Sequence, residues 1–290
     1  MAIVVTIMNM KGGVGKTTLA VHLAGFLSRY TVGGKPPLRV LAIDYDPQFN
    51  LSQAYLPSKT YFELEAARKT TIAVLMDGAT ALNPFELQVP GNHQPPSVKS
   101  LTTNLWKEKN GPGLLDIIPS TLDLMYVALG QATTKVDPIE ERFRKFISEA
   151  RSHYDLILID CHPAGSLFTK TSLHNSNFVA IPVVPQKYAV RGIGLMFEFM
   201  KAKKIGTNGP EPIILFNSTA RYGVSTEEAT IRADPKYAAA CMPNTLKWYK
   251  AFGEPEGGSH FVWFSTKPYS TSAFNNLNAV ARDFRMRIGL

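Results

Sequence analysis

Short apolar runs alternate along the chain with longer stretches in which apolar residues recur every three or four positions. The runs have the length of strands and lack polar alternation, which is typical of strands buried on both faces. The longer stretches predict amphipathic helices. Together they predict an α/β fold in which residues 1–290 form one domain, a doubly wound, mostly parallel β-sheet flanked by helices. The predicted strands are Ile3–Met8, Leu38–Ile43, Leu114–Ile118, Leu156–Ile159, Phe178–Val184 and Ile213–Phe216.

Two segments depart from this alternation. Residues 88–113 contain four prolines and three glycines with little periodicity, which predicts a surface insertion or a mobile loop. At the end of the chain, apolar residues at helical spacing predict a final helix within Ala273–Leu290, with arginines among them. A basic amphipathic helix could pack on the domain or lie on an anionic membrane, and the pattern leaves both open.

The charge is unevenly distributed. The chain carries 31 Lys and Arg against 23 Asp and Glu, a net charge of +8. Residues 201–290 hold twelve of the basic and seven of the acidic residues, so we expect a basic C-terminal region over 205–290. Such a balance suits a polyanionic partner or only a solubilising surface, and composition does not separate the two.

The two cysteines, Cys161 and Cys241, exclude a disulfide framework and a cysteine-rich zinc site. No apolar run is long enough to span a membrane. We therefore expect a cytoplasmic protein, since so few cysteines suit a reducing compartment.

A glycine-rich segment lies between the first predicted strand and the helical stretch that follows. It reads K-G-G-V-G-K-T-T. Glycines let successive backbone N–H groups point at one anion, and the helix that follows adds its positive dipole end. The strand, loop and helix predict a phosphate-binding loop, in which Lys16 reaches the β- and γ-phosphates and the Thr17 hydroxyl ligates Mg²⁺. The predicted ATP contacts are Lys11, Gly12, Gly13, Val14, Gly15, Lys16, Thr17 and Thr18.

Carboxylates follow two of the predicted strands. Asp44 and Asp46 stand in D-Y-D-P-Q, and Asp160 ends the run L-I-L-I-D. The carboxyl ends of parallel strands face the ligand crevice, so Asp160 is a candidate to hold Mg²⁺ through water. A single aspartate after a strand more often caps a turn. Two aspartates beside a phosphate-binding loop favour a functional role instead. We interpret Cys161 as a buried packing residue and His162 as a spacer rather than a proton-transfer group.

These motifs resemble those of the ParA/MinD superfamily, P-loop NTPases of the SIMIBI type. Lys11 and the replacement of the first motif glycine by Met10 resemble the deviant Walker A box, and D-Y-D-P-Q resembles the ParA switch I. The residues after Asp160 depart from the usual ParA pattern, and their P-A-G ending is similar to MinD. The resemblance implies that Lys11 crosses a dimer interface to the partner's ATP, that Asp46 orients the attacking water and that Asp44 lies near the metal. A similarity at 181–192 implies a segment beside the dimer interface. Looser similarities at 213–217 and 242–244 imply that Asn217, Pro243 and Asn244 contact adenine.

The resemblance also implies an ATPase with Mg²⁺ and weak intrinsic activity. It would form a homodimer with ATP, bind nonspecific DNA at the nucleoid and be stimulated by a ParB-like partner. The alternatives are a MinD-like membrane-cycling ATPase, an iron-protein-like reductase and an ATP-binding scaffold. The D-x-D-P-Q box favours the DNA-binding ATPase over the membrane-cycling one. The cargo stays open. The candidate DNA contacts are Arg221, Lys247, Lys250, Arg282, Arg285 and Arg287.

Overall fold

The structure is a computed structural model that describes residues 1–78, 82–83, 85, 89–129, 136–162, 167–202 and 209–290. Its strands are β1 (Ile3–Ile7), β2 (Arg39–Tyr45), β3 (Thr103–Lys107), β4 (Leu114–Ile118), β5 (Leu156–Cys161), β6 (Phe178–Val183), β7 (Glu211–Thr219) and β8 (Leu246–Lys247). Its helices are α1 (Lys16–Arg29), α2 (Asn50–Tyr55), α3 (Ser58–Ala66), α4 (Ile72–Leu75), α5 (Val98–Leu101), α6 (Leu124–Leu129), α7 (Asp137–His153), α8 (Leu167–Asn175), α9 (Ala189–Ala202), α10 (Thr226–Ala233) and α11 (Ser270–Arg287).

The eight strands form one sheet in the order β3-β4-β2-β5-β1-β6-β7-β8. Every described pair is parallel except β3 with β4, which is antiparallel. The predicted mostly parallel, doubly wound sheet is therefore confirmed. The register of β2 and β5 places Asp44 directly beside Asp160, so two of the predicted functional carboxylates lie at the same edge of the sheet.

An apolar layer covers each face of the sheet. One layer includes Phe143 of α7 and Phe168 of α8, and the other includes Phe26 of α1 and Phe284 of α11. All four rings are at most 1% exposed. Burial on both faces explains why the central strands read as continuous apolar runs rather than as alternating ones.

The predicted insertion over 88–113 is wrong in its central part. Residues Val98–Leu101 form α5, whose Val98 and Leu101 are buried, and Thr103–Lys107 form the edge strand β3. The pattern concealed this strand because one face of an edge strand is solvated and its T-N-L-W-K sequence is too short to show a period. Residue 88 lies outside the described residues.

The last helix, α11, packs on the domain. Its apolar positions Leu277, Val280 and Phe284 are fully buried, and Ile288 just beyond it is 2% exposed. Of the two arrangements open for the tail, the structure has the packed one. Among the helices of the described ranges, none is both long and apolar enough to cross a bilayer.

Candidate nucleotide-binding site

The glycine-rich segment forms a tight loop between β1 and α1. Gly13 and Gly15 have φ of +71° and +85°, a left-handed conformation that other residues adopt only with strain. Buried Asn9 fixes the start of the loop, since its amide donates to the Pro182 carbonyl at 2.8 Å and its Oδ1 accepts from the Lys11 N–H at 3.0 Å. The sequence interpretation missed Asn9, because a single asparagine after a strand carries no distinctive signal.

A cavity of about 280 Å³ lies over this loop. Its walls combine the loop with the segment after β2, so the phosphate-binding residues and Asp46 meet as predicted from their positions at strand ends. Lys11 is exposed beside it. Backbone N–H groups at a helix N-terminus, together with Lys16, make the cavity suited to an anion. Its lining residues are Gly12, Gly13, Gly15, Lys16, Thr17, Thr18, Asp46, Gln48, Asn50 and His162.

Asp160 contacts Thr17, a residue of the cavity lining, and is itself only 1% exposed. Its Oδ2 is buried and has no hydrogen-bond partner among the described residues. Burial raises the pKa of Asp160 to about 7, and the charge of Asp46 adds to this, whereas a hydrogen bond from the Thr17 hydroxyl and the charge of Lys16 oppose it. A buried carboxylate oxygen without a partner, next to a threonine hydroxyl, is a donor set that fits Mg²⁺, and a bound cation would favour the ionised carboxylate.

Asp44 is held in place by the helix α2. It is fully buried, and its Oδ2 accepts from both the backbone N–H (2.8 Å) and the hydroxyl (2.6 Å) of Ser52. Burial, together with the charge of Asp160, raises the pKa of Asp44 well above its ordinary range. Its carboxylate is held by α2 and, like that of Asp160, is not part of the lining of the phosphate cavity. Asp44 lies beside Asp160 in the sheet, and its position near a metal stays a prediction.

Asp46 lines the phosphate cavity and is 8% exposed. Its Oδ1 accepts from the Gln48 N–H at 3.0 Å, and its carbonyl accepts from the Ser120 hydroxyl at 2.7 Å. Ser120 also donates its N–H to Ser52 Oγ at 2.9 Å. The loop after β4 therefore holds the segment after β2, which contains Asp46. This contact could not be inferred from the sequence, because the bonded residues lie 68 and 74 positions apart.

His162 lines the same cavity, and its backbone N–H donates to the Tyr45 carbonyl at 3.3 Å. The Pro163–Gly165 portion of the following segment lies outside the described residues. Cys161 is fully buried, and burial raises the pKa of its thiol to about 12. This placement agrees with the interpretation of Cys161 as a packing residue.

A second cavity of about 410 Å³ adjoins the first and shares Gly13, Gly15 and Thr18 with it. Its far wall is the segment after β8, which contributes Trp248, Tyr249 and Phe252 among other residues. An aromatic cavity that continues from a phosphate cavity has the form that a purine nucleotide requires. We call it the aromatic cavity.

The three predicted adenine contacts do not lie together. Asn217 lines the aromatic cavity, but its amide donates to the Val14 carbonyl at 2.8 Å and its Oδ1 accepts from the Ser218 N–H at 2.8 Å. Pro243 and Asn244 are not among the lining residues of either cavity, and Asn244 donates instead to Asp283 on α11. The segment that follows them provides the wall.

The six predicted DNA contacts fall into two groups. Arg221, Lys247 and Lys250 lie near the aromatic cavity, whereas the other three lie on the last turns of α11. Arg282 and Arg287 are exposed there. Arg285 is only 5% exposed and donates to the carbonyls of Lys35 and Pro36. The prediction that Arg285 contacts DNA is therefore wrong, because its guanidinium stabilises the turn before β2.

The sheet order, the glycine loop before α1 and the carboxylates at the ends of β2 and β5 define a P-loop nucleoside triphosphatase. Comparison with known proteins identifies the family within this class. The AAA domain family AAA_31 matches residues 2–208. An uncharacterized protein of Methanocaldococcus jannaschii is 28% identical over 282 residues, covering 95% of this chain and 96% of that protein.

The chromosome-partitioning ATPase Soj of Treponema pallidum is 29% identical over 203 residues, which are 69% of this chain and 64% of Soj. The chain thus spans slightly less than two thirds of that relative. A structure of pNOB8 ParA bound to nonspecific DNA superposes with a TM-score of 0.61 at 20% identity, covering 99% and 97% of the two chains. This chain belongs to the ParA/MinD superfamily of P-loop ATPases and is most like the ParA partition ATPases.

Proposed function

We propose that this chain is a ParA-type ATPase that forms a nucleotide-dependent sandwich dimer and positions DNA or another cargo in the cytoplasm. One observation carries the proposal: Lys16, Thr17 and Asp46 line one phosphate-sized cavity, and the Thr17 hydroxyl also bonds to buried Asp160. Lys11 of the same loop is exposed. Lys16 suffices to bind phosphate within one subunit. An exposed second lysine in the same loop suits a contact with phosphate on another subunit.

Each residue has a distinct task in this mechanism. The loop N–H groups and Lys16 bind the β- and γ-phosphates, and Asp46 orients the attacking water. Thr17 and Asp160 would hold Mg²⁺, which when bound offsets phosphate charge. Lys11 of each subunit would neutralise charge on the partner's nucleotide, so the intrinsic rate is low until the dimer forms.

The proposed partners are nonspecific DNA and a ParB-like adaptor that stimulates hydrolysis. The net charge of +8 supports a polyanionic partner, and a relative of the same fold has been solved with nonspecific DNA. A MinD-like membrane cycle has less support. The apolar side chains that α11 would insert into a membrane are buried in the core.

The proposal is tested by size-exclusion chromatography with light scattering on the Asp46→Ala variant, which should bind ATP without turning it over. We expect a dimer with ATP and a monomer with ADP. Adding Lys11→Ala should abolish the dimer, while adding Arg68→Ala, at an exposed site remote from the cavity, should preserve it. A monomer under both nucleotides would reject the sandwich dimer.

A further inference from the structure

Three exposed aromatic rings and three basic side chains occur together beside the aromatic cavity; of the basic residues, Lys250 is exposed and Arg221 and Lys247 are half-buried. Monomeric proteins rarely expose several large aromatic rings in one place without a binding role. The rings of Tyr222, Trp248 and Tyr269 are 92%, 58% and 62% exposed. We call this region the Arg221 surface; its members are Arg221, Tyr222, Lys247, Trp248, Lys250 and Tyr269.

Arg221 is the centre of the surface. Its guanidinium lies 4.3 Å from the ring centroid of Tyr269 and 4.9 Å from that of Tyr249. Its Nε donates to the Trp248 carbonyl at 3.5 Å, and the Lys247 ammonium donates to the Arg221 carbonyl at 2.9 Å. These contacts join the end of β7, the segment after β8 and the start of α11 into one continuous surface.

Tyr269 has a strained backbone. Its φ is +65° at the position immediately before α11, a conformation that disfavours side chains larger than glycine. Such strain persists only where the surrounding structure enforces it, and it is concentrated at functional sites. Here the strained residue presents an exposed ring to Arg221.

The three cations of this surface form no ion pair with the described residues. Within the described part of the chain, none of Arg221, Lys247 and Lys250 has a carboxylate oxygen within 4.0 Å. Three cations without acidic partners, interleaved with exposed rings, are complementary to a polyanion that also offers flat apolar faces.

We propose that the Arg221 surface binds single-stranded nucleic acid, with bases stacked on Tyr222 and Trp248 and phosphates paired with the three cations. A duplex presents its phosphates but hides its base faces, so the exposed rings favour unpaired strands. This inference extends the DNA binding of the proposed function by assigning the surface and the strand form.

The test compares fluorescence anisotropy of labelled oligo(dT) and of a labelled duplex of equal length, with and without ATP. Tyr222→Ala is the decisive variant because Tyr222 lines neither nucleotide cavity. We expect it to weaken oligo(dT) binding about tenfold, the loss of one stacked base, and to change duplex binding less than about twofold. Phe62→Ala removes another exposed ring, 61% exposed, from α3 and should change neither.

Tryptophan fluorescence supplies a direct readout. Trp248 is one of three tryptophans, and base stacking should quench it when oligo(dT) is added. Trp248→Phe keeps a ring for stacking but should remove the quenching. Quenching that persists in this variant, or Tyr222→Ala binding oligo(dT) as tightly as the wild type, would overturn the proposal.

Different results would contradict the Arg221 surface proposal and the broader proposal of nonspecific DNA binding. If Tyr222→Ala weakens single-strand and duplex binding equally, or if the wild type binds only duplex, the Arg221 surface proposal falls while DNA binding stands. If neither nucleic acid binds in any nucleotide state, nonspecific DNA binding falls as well.

Discussion

Asn217 shows how one side chain can shape the phosphate loop. Its amide bonds to the Val14 carbonyl, and a Cβ added to Gly15 would lie 2.1 Å from its Nδ2. Both polar ends of the amide are used within the protein. We therefore interpret Asn217 as a residue that positions the loop, rather than one that reads the base.

Asn217→Ala should leave the Val14 carbonyl without its partner and lower the free energy of unfolding by about 1–3 kcal/mol. The looser loop should weaken binding of a fluorescent ATP analogue, whereas the ratio of ATP to GTP affinity should stay unchanged. Asn244→Ala, which removes the side-chain hydrogen bond to Asp283 outside both cavities, is the matched control. A changed ATP to GTP ratio in Asn217→Ala would instead support the predicted adenine contact.

His22 predicts a pH dependence of stability. It is fully buried in α1, and burial lowers its pKa to about 4, partly opposed by its hydrogen bond to the Thr18 carbonyl. The unfolded chain protonates His22 near pH 6.5, so the stabilisation is present above that pH and is lost as the pH falls towards 4. Lowering the pH from 7 to 5 should cost about 2 kcal/mol at this residue.

Urea unfolding at both pH values measures this effect. His22→Leu should lose less stability on acidification than the wild type does. His153→Leu, at an exposed position, controls for the removal of one histidine. Parallel pH profiles for the wild type and His22→Leu would contradict the assignment.

Among the elements, α11 is the one that could either pack on the domain or bind a membrane. Phe284 is fully buried and packs in the same layer as Phe26, whereas Met286 two positions later is 62% exposed. Phe284→Ala should lower the free energy of unfolding by about 3–5 kcal/mol because it leaves a cavity in the core. Met286→Ala should change it by about 0.5 kcal/mol or less. Similar denaturation midpoints for both variants would show that α11 is not part of the cooperative core.

At the scale of the whole molecule, the candidate DNA contacts lie at opposite ends of the sheet. Arg221 follows the carboxyl end of β7, whereas Arg282 lies against Gly33, before the start of β2. Replacing Lys247 and Lys250 by alanine should reduce the salt dependence of duplex binding by about one per lost phosphate contact. Arg282→Ala with Arg287→Ala should leave it unchanged. Equal effects of the two double variants would place the DNA elsewhere.

The central strands and the phosphate loop were predictable because local signals specify them. Buried parallel strands read as apolar runs, and the loop needs its glycines and lysines at fixed spacing. The edge strand β3 was not predictable, because its sequence is too short to show a period. The contacts of Asn217 were not predictable either, because Asn217 and Val14 are 203 positions apart in sequence. The hydrogen bonds from Ser52 to Asp44 were not predictable either, because they depend on where α2 lies. Arg285 looked like a surface cation until its carbonyl acceptors were known.

Only three residues separate Asn217, which is bonded to the phosphate loop, from Arg221 at the outer surface. A ligand that shifts this short stretch from one end must alter the free energy of binding at the other. Thermodynamic linkage makes the effect mutual. If ATP raises the affinity for a ligand at Arg221 by some factor, that ligand raises the affinity for ATP by the same factor. The connection needs no moving domain, because one turn at the end of β7 is common to both sites.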